Sequence, residues 1–316
     1  MNPLRTRRGL AVLPALALVL TAACGGGSEE AEPTSSLRES VEISGDFGSA
    51  PTIVIDSPPL EVEDTESWTV EKGDGDEVTA GATVILQLTL VNGRTGKKAI
   101  STFDQGATPL EVATDQVFPS LSEALTGSPA GSRIAVASTP EDTYGDQGQS
   151  ELGIKGDDSV VMVADILSTD PTSVLDGPTG DTLSPPSSAP KLLEEDGVPT
   201  GFDVSGLKKP TKLVVVPLRE GTGPEIEAPD RVKVNYLGQV WGAEKPFQES
   251  FTSQPTTFTV GLDKVIKAWD QALVGVKEGG RVMLVAPPAL AYGKAAQQNI
   301  PANSTLIFVI DVLGVG

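Results

Sequence analysis

The stretch LAYGKAAQQNIPANSTLIFVIDVL, residues 290–313, surrounds a loop with aromatic and apolar side chains and almost no charge. Tyr292, Ile300 and Phe308 lie in it, and Lys294 is the only ionised side chain before Asp311. The whole chain carries 43 acidic residues, so a neutral aromatic segment stands out. Side chains of this kind can wall a dry apolar pocket, but they supply neither a nucleophile nor a charged acid or base.

The composition excludes several kinds of chemistry. The chain has no histidine, which argues against Ser-His-Asp and Cys-His catalysis and against histidine-based zinc sites. A single cysteine, Cys24, permits no intrachain disulfide and no cysteine cluster for a metal. We therefore predict no metal and no cofactor. A net charge of −20 also argues against nucleic-acid binding.

Residues 1–23 have the three parts of an export signal. Arg5, Arg7 and Arg8 form a positive start, residues 9–20 are an apolar run of 12 residues, and small residues precede Cys24. A run of this length is too short to span a bilayer as a mature helix, which needs about 20 residues. We expect the following residues, 24–47, to be a flexible acidic tether.

The small residues before Cys24 resemble the bacterial lipoprotein cleavage box, in which the cysteine is lipidated and becomes the mature N-terminus. Thr21 stands where that box prefers leucine. The resemblance implies lipidation of Cys24 and an extracytoplasmic protein anchored to the cell membrane. The alternative is an ordinary secretory signal and a secreted protein.

The chain repeats itself at an offset of 148 residues. Glu-Ala-Leu-Thr-Gly at 123–127 matches Gln-Ala-Leu-Val-Gly at 271–275, and Tyr144-Gly145 matches Tyr292-Gly293. Beyond this loop the offset is 146, so that Asp-Ile-Leu at 165–167 matches Asp-Val-Leu at 311–313. We predict two copies of one domain, at 48–168 and 191–316, joined by a Pro/Ser-rich linker at 169–190.

Each copy combines several strands with one short helix, which predicts the α+β class. Residues 231–236 alternate in the manner of a half-buried strand, and residues 281–285 and 305–312 are also strand-like. The helix is predicted from the spacing of five apolar side chains, which are Val265, Ile266, Trp269, Leu273 and Val276.

Four motifs of the second copy together resemble the FKBP-type peptidyl-prolyl cis-trans isomerases. They are Val-Asn-Tyr-Leu-Gly at 234–238, Val-Ile-Lys-Ala-Trp at 265–269, Ala-Tyr-Gly at 291–293 and Ile-Pro-Ala-Asn-Ser-Thr-Leu-Ile-Phe at 300–308. The resemblance covers roughly residues 211–315. It implies a curved antiparallel β-sheet wrapped around a short α-helix, and hence two tandem FKBP-like domains in the chain.

The resemblance also implies a pocket. Its catalytic residues would be Tyr236, Phe247, Ile266, Trp269, Tyr292 and Phe308, and its substrate-binding residues Val265 and Ile300. Trp269 would form the floor, while the backbone N–H of Ile266 and the hydroxyl of Tyr292 would donate to substrate carbonyls. The family usually has an acid at the position of Gln248 and often an aromatic residue near Thr256, so we expect reduced activity.

The first copy has lost more of this pattern. At the equivalent positions Leu88 replaces Tyr236, Ala99 replaces Phe247, Leu121 replaces Trp269 and Met162 replaces Phe308. Val117, Phe118, Tyr144 and Ile154 keep an apolar lining. We expect this copy to be a degenerate domain with weak or no activity.

These expectations describe a monomeric isomerase, or rotamase, that acts on X-Pro bonds of exported polypeptides and assists their folding. The alternative is a non-catalytic chaperone or scaffold that holds Pro-containing segments, which Gln248 and the altered first copy favour. A solute-binding lipoprotein is a third class. It would have one larger two-lobed body, and the duplication argues against it.

Overall fold

The structure is a computed structural model that describes residues 37–112 and 117–316. The predicted signal sequence, Cys24 and most of the predicted tether lie outside these residues. The described part contains two large β-sheets of the same design, each with a short helix against one face, and two separate hairpins, so the predicted α+β class is confirmed. No helix within the described ranges is long and apolar enough to cross a membrane.

The elements of the first copy follow one another along the chain as α1 Leu37–Ser40, β1 Val41–Ser44, β2 Thr52–Ile55, β3 Glu66–Glu71, β4 Thr83–Asn92, β5 Lys98–Ser101, β6 Thr108–Glu111, α2 Pro119–Leu125, β7 Arg133–Ser138 and β8 Val160–Thr169. The linker contributes β9 Asp181–Thr182. The second copy contains β10 Lys191–Glu195, β11 Val198–Asp203, β12 Val214–Glu220, β13 Arg231–Val240, β14 Gln248–Glu249, β15 Thr256–Thr259, α3 Lys267–Leu273, β16 Arg281–Ala286 and β17 Leu306–Val315.

The two sheets share one strand order. In the first copy β3, β7, β8, β4 and β5 are neighbours in that order and β6 also pairs with β4; in the second, β12, β16, β17, β13 and β14 correspond and β15 pairs with β13. Leu88 lies opposite Ala164, and Tyr236 lies opposite Ile310. Adding 148 to position 88 gives 236, and adding 146 to position 164 gives 310. The sheet register therefore reproduces the two sequence offsets.

Each sheet is covered on both faces. In the second copy the inner face packs against α3, and the outer face packs under the hairpin β10–β11 through Phe202. In the first copy α2 and the hairpin β1–β2 take these places. The central strands β8 and β17 are consequently buried over almost their whole length, which explains why they consist of nearly continuous apolar residues.

A buried arginine holds the outer hairpin of the first copy. Arg133 pairs with Asp165 at 2.6 Å and also donates to the carbonyl oxygens of Gly45, Asp46 and Ser49. Residues 37–47 thus form part of the domain, whereas the sequence predicted them as the end of a flexible tether. The acidic composition of this segment gives no indication that its backbone carbonyls cap a guanidinium.

Arg281 is the equivalent residue in the second copy. It pairs with Asp311, and it also bonds Glu194 of β10 at 2.6 Å. The second copy therefore secures its hairpin through a side-chain carboxylate, where the first copy uses backbone carbonyls.

The predicted linker makes specific contacts. The Asp170 carboxylate accepts from the Thr83 backbone N–H at 2.9 Å in the first copy and from Arg231 Nε at 2.8 Å in the second. Further along, Leu175 N–H donates to Leu313 O, and β9 pairs with the end of β12. The composition of this segment predicted a linker, and the structure shows that it also lies along the second copy.

The helix α3 is shorter than the apolar spacing predicted. Ile266 precedes it with an extended backbone (φ −63°, ψ 144°), and Val274 ends it. Val265, Ile266 and Val276 still pack against the inner core, but from the adjoining loops.

Candidate active site

The inner face of the second copy holds a cluster of aromatic rings centred on Trp269. The Tyr236 and Phe308 rings meet the indole edge-on, with centroids 5.2 and 5.3 Å away. Phe247 meets Phe308 in the same manner at 5.9 Å. Such edge-to-face contacts are the arrangement that aromatic pairs prefer. Four of the predicted catalytic residues are thus brought together.

Phe258 completes this cluster and was not predicted from the sequence. Its ring lies 5.0 Å from that of Trp269, and the residue is buried in the short strand β15. Thr256, where the family often has an aromatic residue, lies two positions earlier on the same strand. The alternation of Thr-Thr-Phe-Thr-Val at 256–260 was the available signal.

Gly238 makes room for two of the rings. A Cβ atom at this position would lie 2.5 Å from the Phe247 ring and 2.8 Å from the Phe308 ring. The first copy has Leu90 at the equivalent position, and Ala99 in place of Phe247. The first copy thus has a larger residue at the position of Gly238 and a smaller one at the position of Phe247. This combination keeps the core filled but removes the aromatic wall.

Hydrogen bonds position the strand that carries Tyr236. The Ser250 hydroxyl accepts from the Tyr236 backbone N–H at 3.0 Å and donates to Asn235 Oδ1 at 3.1 Å. Phe247 N–H donates to Gly238 O at 2.9 Å. Together these bonds fix the Phe247–Ser250 loop against β13.

The Tyr236 hydroxyl is held in its neutral form. Burial raises the pKa of this phenol, and the neighbouring Tyr292 and Glu249 raise it further. Trp269 is also buried, and its indole N–H has no hydrogen-bond partner within residues 37–112 and 117–316. The surroundings of the rings are therefore weakly polar.

An open groove of about 480 Å³ is connected to this cluster through Val265 and Ile266, which line the groove and also pack against the core that contains Trp269, whereas the rings of the cluster do not line it. Its lining consists of Asp263, Lys264, Val265, Ile266, Lys267, Ala291 and Tyr292. Tyr292 is 39% exposed, whereas Tyr236, Phe258, Trp269 and Phe308 are almost fully covered and Phe247 is half-buried. Neither the Ile266 backbone N–H nor the Tyr292 hydroxyl bonds another group in the described part of the chain. Both donors therefore remain free to bond a ligand that enters the groove.

The remaining predicted residues, Val265 and Ile300, also pack at the inner core. A larger groove of about 540 Å³ lies in the first copy beside Arg94 and Asp158, but it lacks aromatic side chains. Volume alone therefore does not identify the site. Within the described ranges, no group of three or more His, Cys, Asp or Glu side chains is placed to hold a metal.

The first copy arranges its apolar residues differently. Phe118, which is equivalent to Ile266, packs edge-on against Tyr144 with ring centroids 4.9 Å apart. Burial raises the pKa of the Tyr144 hydroxyl. Leu121 lies where Trp269 forms the centre of the aromatic cluster, so this copy has no equivalent of the cluster among its described residues.

Comparison with known proteins identifies the family. A model of the FKBP-type peptidyl-prolyl cis-trans isomerases matches residues 74–164 and 223–313, which is more than half of the chain. The chain belongs to this family. Both copies are matched, so the first one is a family member by sequence despite its altered lining.

Individual relatives agree with this assignment. The FKBP-type isomerase FkpA of Escherichia coli K12 is 40% identical over 126 residues, which are 40% of this chain and 43% of FkpA. FK506-binding protein 4 of Chaetomium thermophilum is 39% identical over 108 residues, 34% of this chain and 22% of that protein. The chain thus spans less than half the length of either relative. The crystal structure of FkpA is 42% identical and covers 35% of this chain and 52% of FkpA, with a TM-score of 0.31.

Proposed function

We propose that this protein is a peptidyl-prolyl cis-trans isomerase with its active site in the second copy. The observation that carries the proposal is the aromatic cluster around Trp269, beside a groove with two free donors, the Ile266 N–H and the Tyr292 hydroxyl. The first copy lacks the cluster, so we assign it no catalysis. Membership of the family supports the reaction type.

The proposed chemistry needs no nucleophile, metal or cofactor. Rotation about an X-Pro amide faces a barrier of about 18–20 kcal/mol, which arises from resonance. In the twisted transition state this resonance is lost and the charge separation of the amide falls. Apolar rings around the proline therefore stabilise the transition state more than the planar ground state.

Each residue of the site has a proposed part in this reaction. Trp269 forms the floor on which the proline ring rests, and Tyr236, Phe247 and Phe308 exclude water from its sides. The Ile266 N–H and the Tyr292 hydroxyl bond carbonyl oxygens of the peptide and hold it while the amide turns. Val265 and Ile300 complete the apolar lining.

We propose exported polypeptides as substrates, with Cys24 lipidated and the protein anchored outside the cytoplasm as a monomer. The support is the residue pattern of the first 24 positions. Uncatalysed X-Pro isomerisation takes tens to hundreds of seconds, slow enough to limit folding. An isomerase near the exit of the export pathway would shorten this step.

A non-catalytic chaperone is the second candidate. Gln248 favours it, because this neutral residue stands at the rim where the family usually has an acid. A chaperone of this kind would hold Pro-containing segments in the same groove but would not accelerate their isomerisation.

A matched pair of tyrosine variants in the full chain tests the proposed site, and the unmodified protein separates the two candidates. We expect Tyr292→Phe to lower kcat/KM for an X-Pro peptide about two- to tenfold, the value of one hydrogen bond. Tyr144→Phe, the same change in the first copy, leaves kcat/KM unaltered. An unmodified protein that binds the peptide without accelerating its isomerisation would establish the chaperone.

A further inference from the structure

The groove beside the aromatic cluster has a charged rim as well as an apolar wall. Lys264 and Lys267 line it, and Lys294 lies two residues after Tyr292 on the facing loop. All three lysines are exposed, and none forms an ion pair with another described residue. Their ammonium groups are therefore available to a bound peptide.

Two carboxylates lie near these lysines. Asp263 also lines the groove. Asp270 accepts from the backbone N–H groups of Gly261 at 2.7 Å and Asp263 at 3.1 Å, so it serves to hold the loop before α3. The side chains that line the groove itself are thus two lysines against one aspartate.

The stability of the helix does not explain the lysine at its start. Lys267 is the first residue of α3, where a positive charge opposes the helix dipole. The first copy has Pro119 at the equivalent position, a residue type favoured at a helix start. At the mouth of its groove the second copy therefore has a residue type that stabilises a helix start less than the proline of the first copy.

The first copy lacks all three cations. Gln116 stands for Lys264, Pro119 for Lys267 and Asp146 for Lys294. The described part of the first copy accommodates Pro119 and Asp146 at the positions of Lys267 and Lys294, so these two lysines are not required to build the domain. They occur in the copy that retains the aromatic cluster.

We propose that Lys264 and Lys267 are specificity-determining residues that favour X-Pro segments with an Asp or Glu next to the proline. This inference rests on the proposed function, because it assumes that the peptide lies in this groove. An acidic side chain beside the proline meets two ammonium groups and one carboxylate. A basic side chain at the same place meets two charges of its own sign and only one of the opposite sign.

The test compares peptides that differ in a single charge. Isomerisation by the full chain is measured for peptides with Glu, Gln or Lys before the proline, and for a second series with these residues after it. We expect kcat/KM for the best Glu peptide to exceed that of its Gln counterpart about two- to fivefold at low salt. The advantage acts through KM and shrinks in 0.5 M salt, because screening shortens the range of surface charges to roughly 3–5 Å.

Three variants show whether the lysines cause the preference. Lys264→Gln combined with Lys267→Gln removes it, while Asp263→Asn enlarges it. Lys277→Gln is the matched control, because Lys277 is a partly exposed lysine beyond the other end of α3 and pairs with Glu225. It leaves the preference unaltered.

Equal kcat/KM for Glu and Gln peptides would overturn the inference, and so would a preference that survives in the double variant. Loss of the proposed function is a separate result, in which no peptide is isomerised. In that case NMR titration of the same peptides decides: tighter binding of the Glu peptide that disappears in the double variant supports the inference, and equal binding refutes it.

Discussion

The rings around Trp269 depend on residues that do not themselves line the groove. Gly238 leaves the space in which Phe247 and Phe308 meet, and Ser250 bonds the backbone of Tyr236. Any side chain larger than hydrogen at position 238 would displace a ring. The aromatic cluster is thus determined as much by a glycine and a serine as by its aromatic residues.

At the same scale, Asp230 is a residue whose charge weakens the fold. Burial raises the pKa of its carboxyl to about 6, and Glu227, whose backbone N–H it accepts, adds a nearby negative charge. Between about pH 4 and 6 the unfolded chain releases this proton before the folded one does, so stability falls as the pH rises through that window and stays lower above it.

We predict that Asp230→Asn stabilises the protein by about 1–2 kcal/mol at pH 7 and by less at pH 4. Urea unfolding of both proteins at the two pH values measures the difference. An equal effect of the substitution at pH 4 and pH 7 would show that the ionisation of Asp230 plays no part.

The aromatic positions show what the sequence can predict at the residue scale. Tyr236, Trp269 and Phe308 were predicted as one pocket and lie in contact, because four motifs in order specify the fold that assembles them. Phe258 was missed because a short strand gives little periodicity. The free Ile266 N–H was predicted only through the family, since no local pattern shows which backbone groups lack partners.

At the scale of elements, the two outer hairpins are what the sequence did not reveal. Residues 41–55 and 191–203 mix polar and apolar residues, and their burial depends on an arginine far along the chain. Arg133 lies 88 residues from Gly45, to which it donates. Sequence patterns report local periodicity, so a contact of this separation leaves no local trace.

We expect Arg133→Met to destabilise the first copy by about 3–5 kcal/mol, because it leaves Asp165 buried without its partner. Amide hydrogen exchange in residues 41–55 should accelerate first. Lys277→Met, which breaks an exposed pair with Glu225, serves as the comparison and should change exchange little. Unchanged exchange in the Arg133 variant would mean that apolar packing alone holds the hairpin.

At the scale of the whole molecule, the two copies have diverged in charge as well as in their pockets. Residues 48–168 carry 6 Lys and Arg against 20 Asp and Glu, a net charge of −14. Residues 191–316 carry 13 against 14, a net charge of −1. Most of the acidity of the protein therefore belongs to the part without the aromatic cluster, and the copy with the proposed active site is nearly neutral.

The connection between the copies is also specific. Asp170 bonds Thr83 in one copy and Arg231 in the other, and the Ser168 hydroxyl donates to Pro229 O at 2.6 Å. Duplication has thus produced two domains of one design that differ in surface charge, in lining and in the way their hairpins are held. We assign catalysis to only one of them.

The most direct test of that assignment is the isomerisation of an X-Pro peptide by the full chain carrying Trp269→Leu, the residue type found at the equivalent position 121. We predict a loss in kcat/KM of about tenfold or more with the fold retained by circular dichroism. Trp241→Leu on the outer face of the same sheet is the control and should retain activity. Equal activity of the Trp269 variant and the unmodified protein would contradict the account, because the floor of the proposed pocket would then have no part in the reaction.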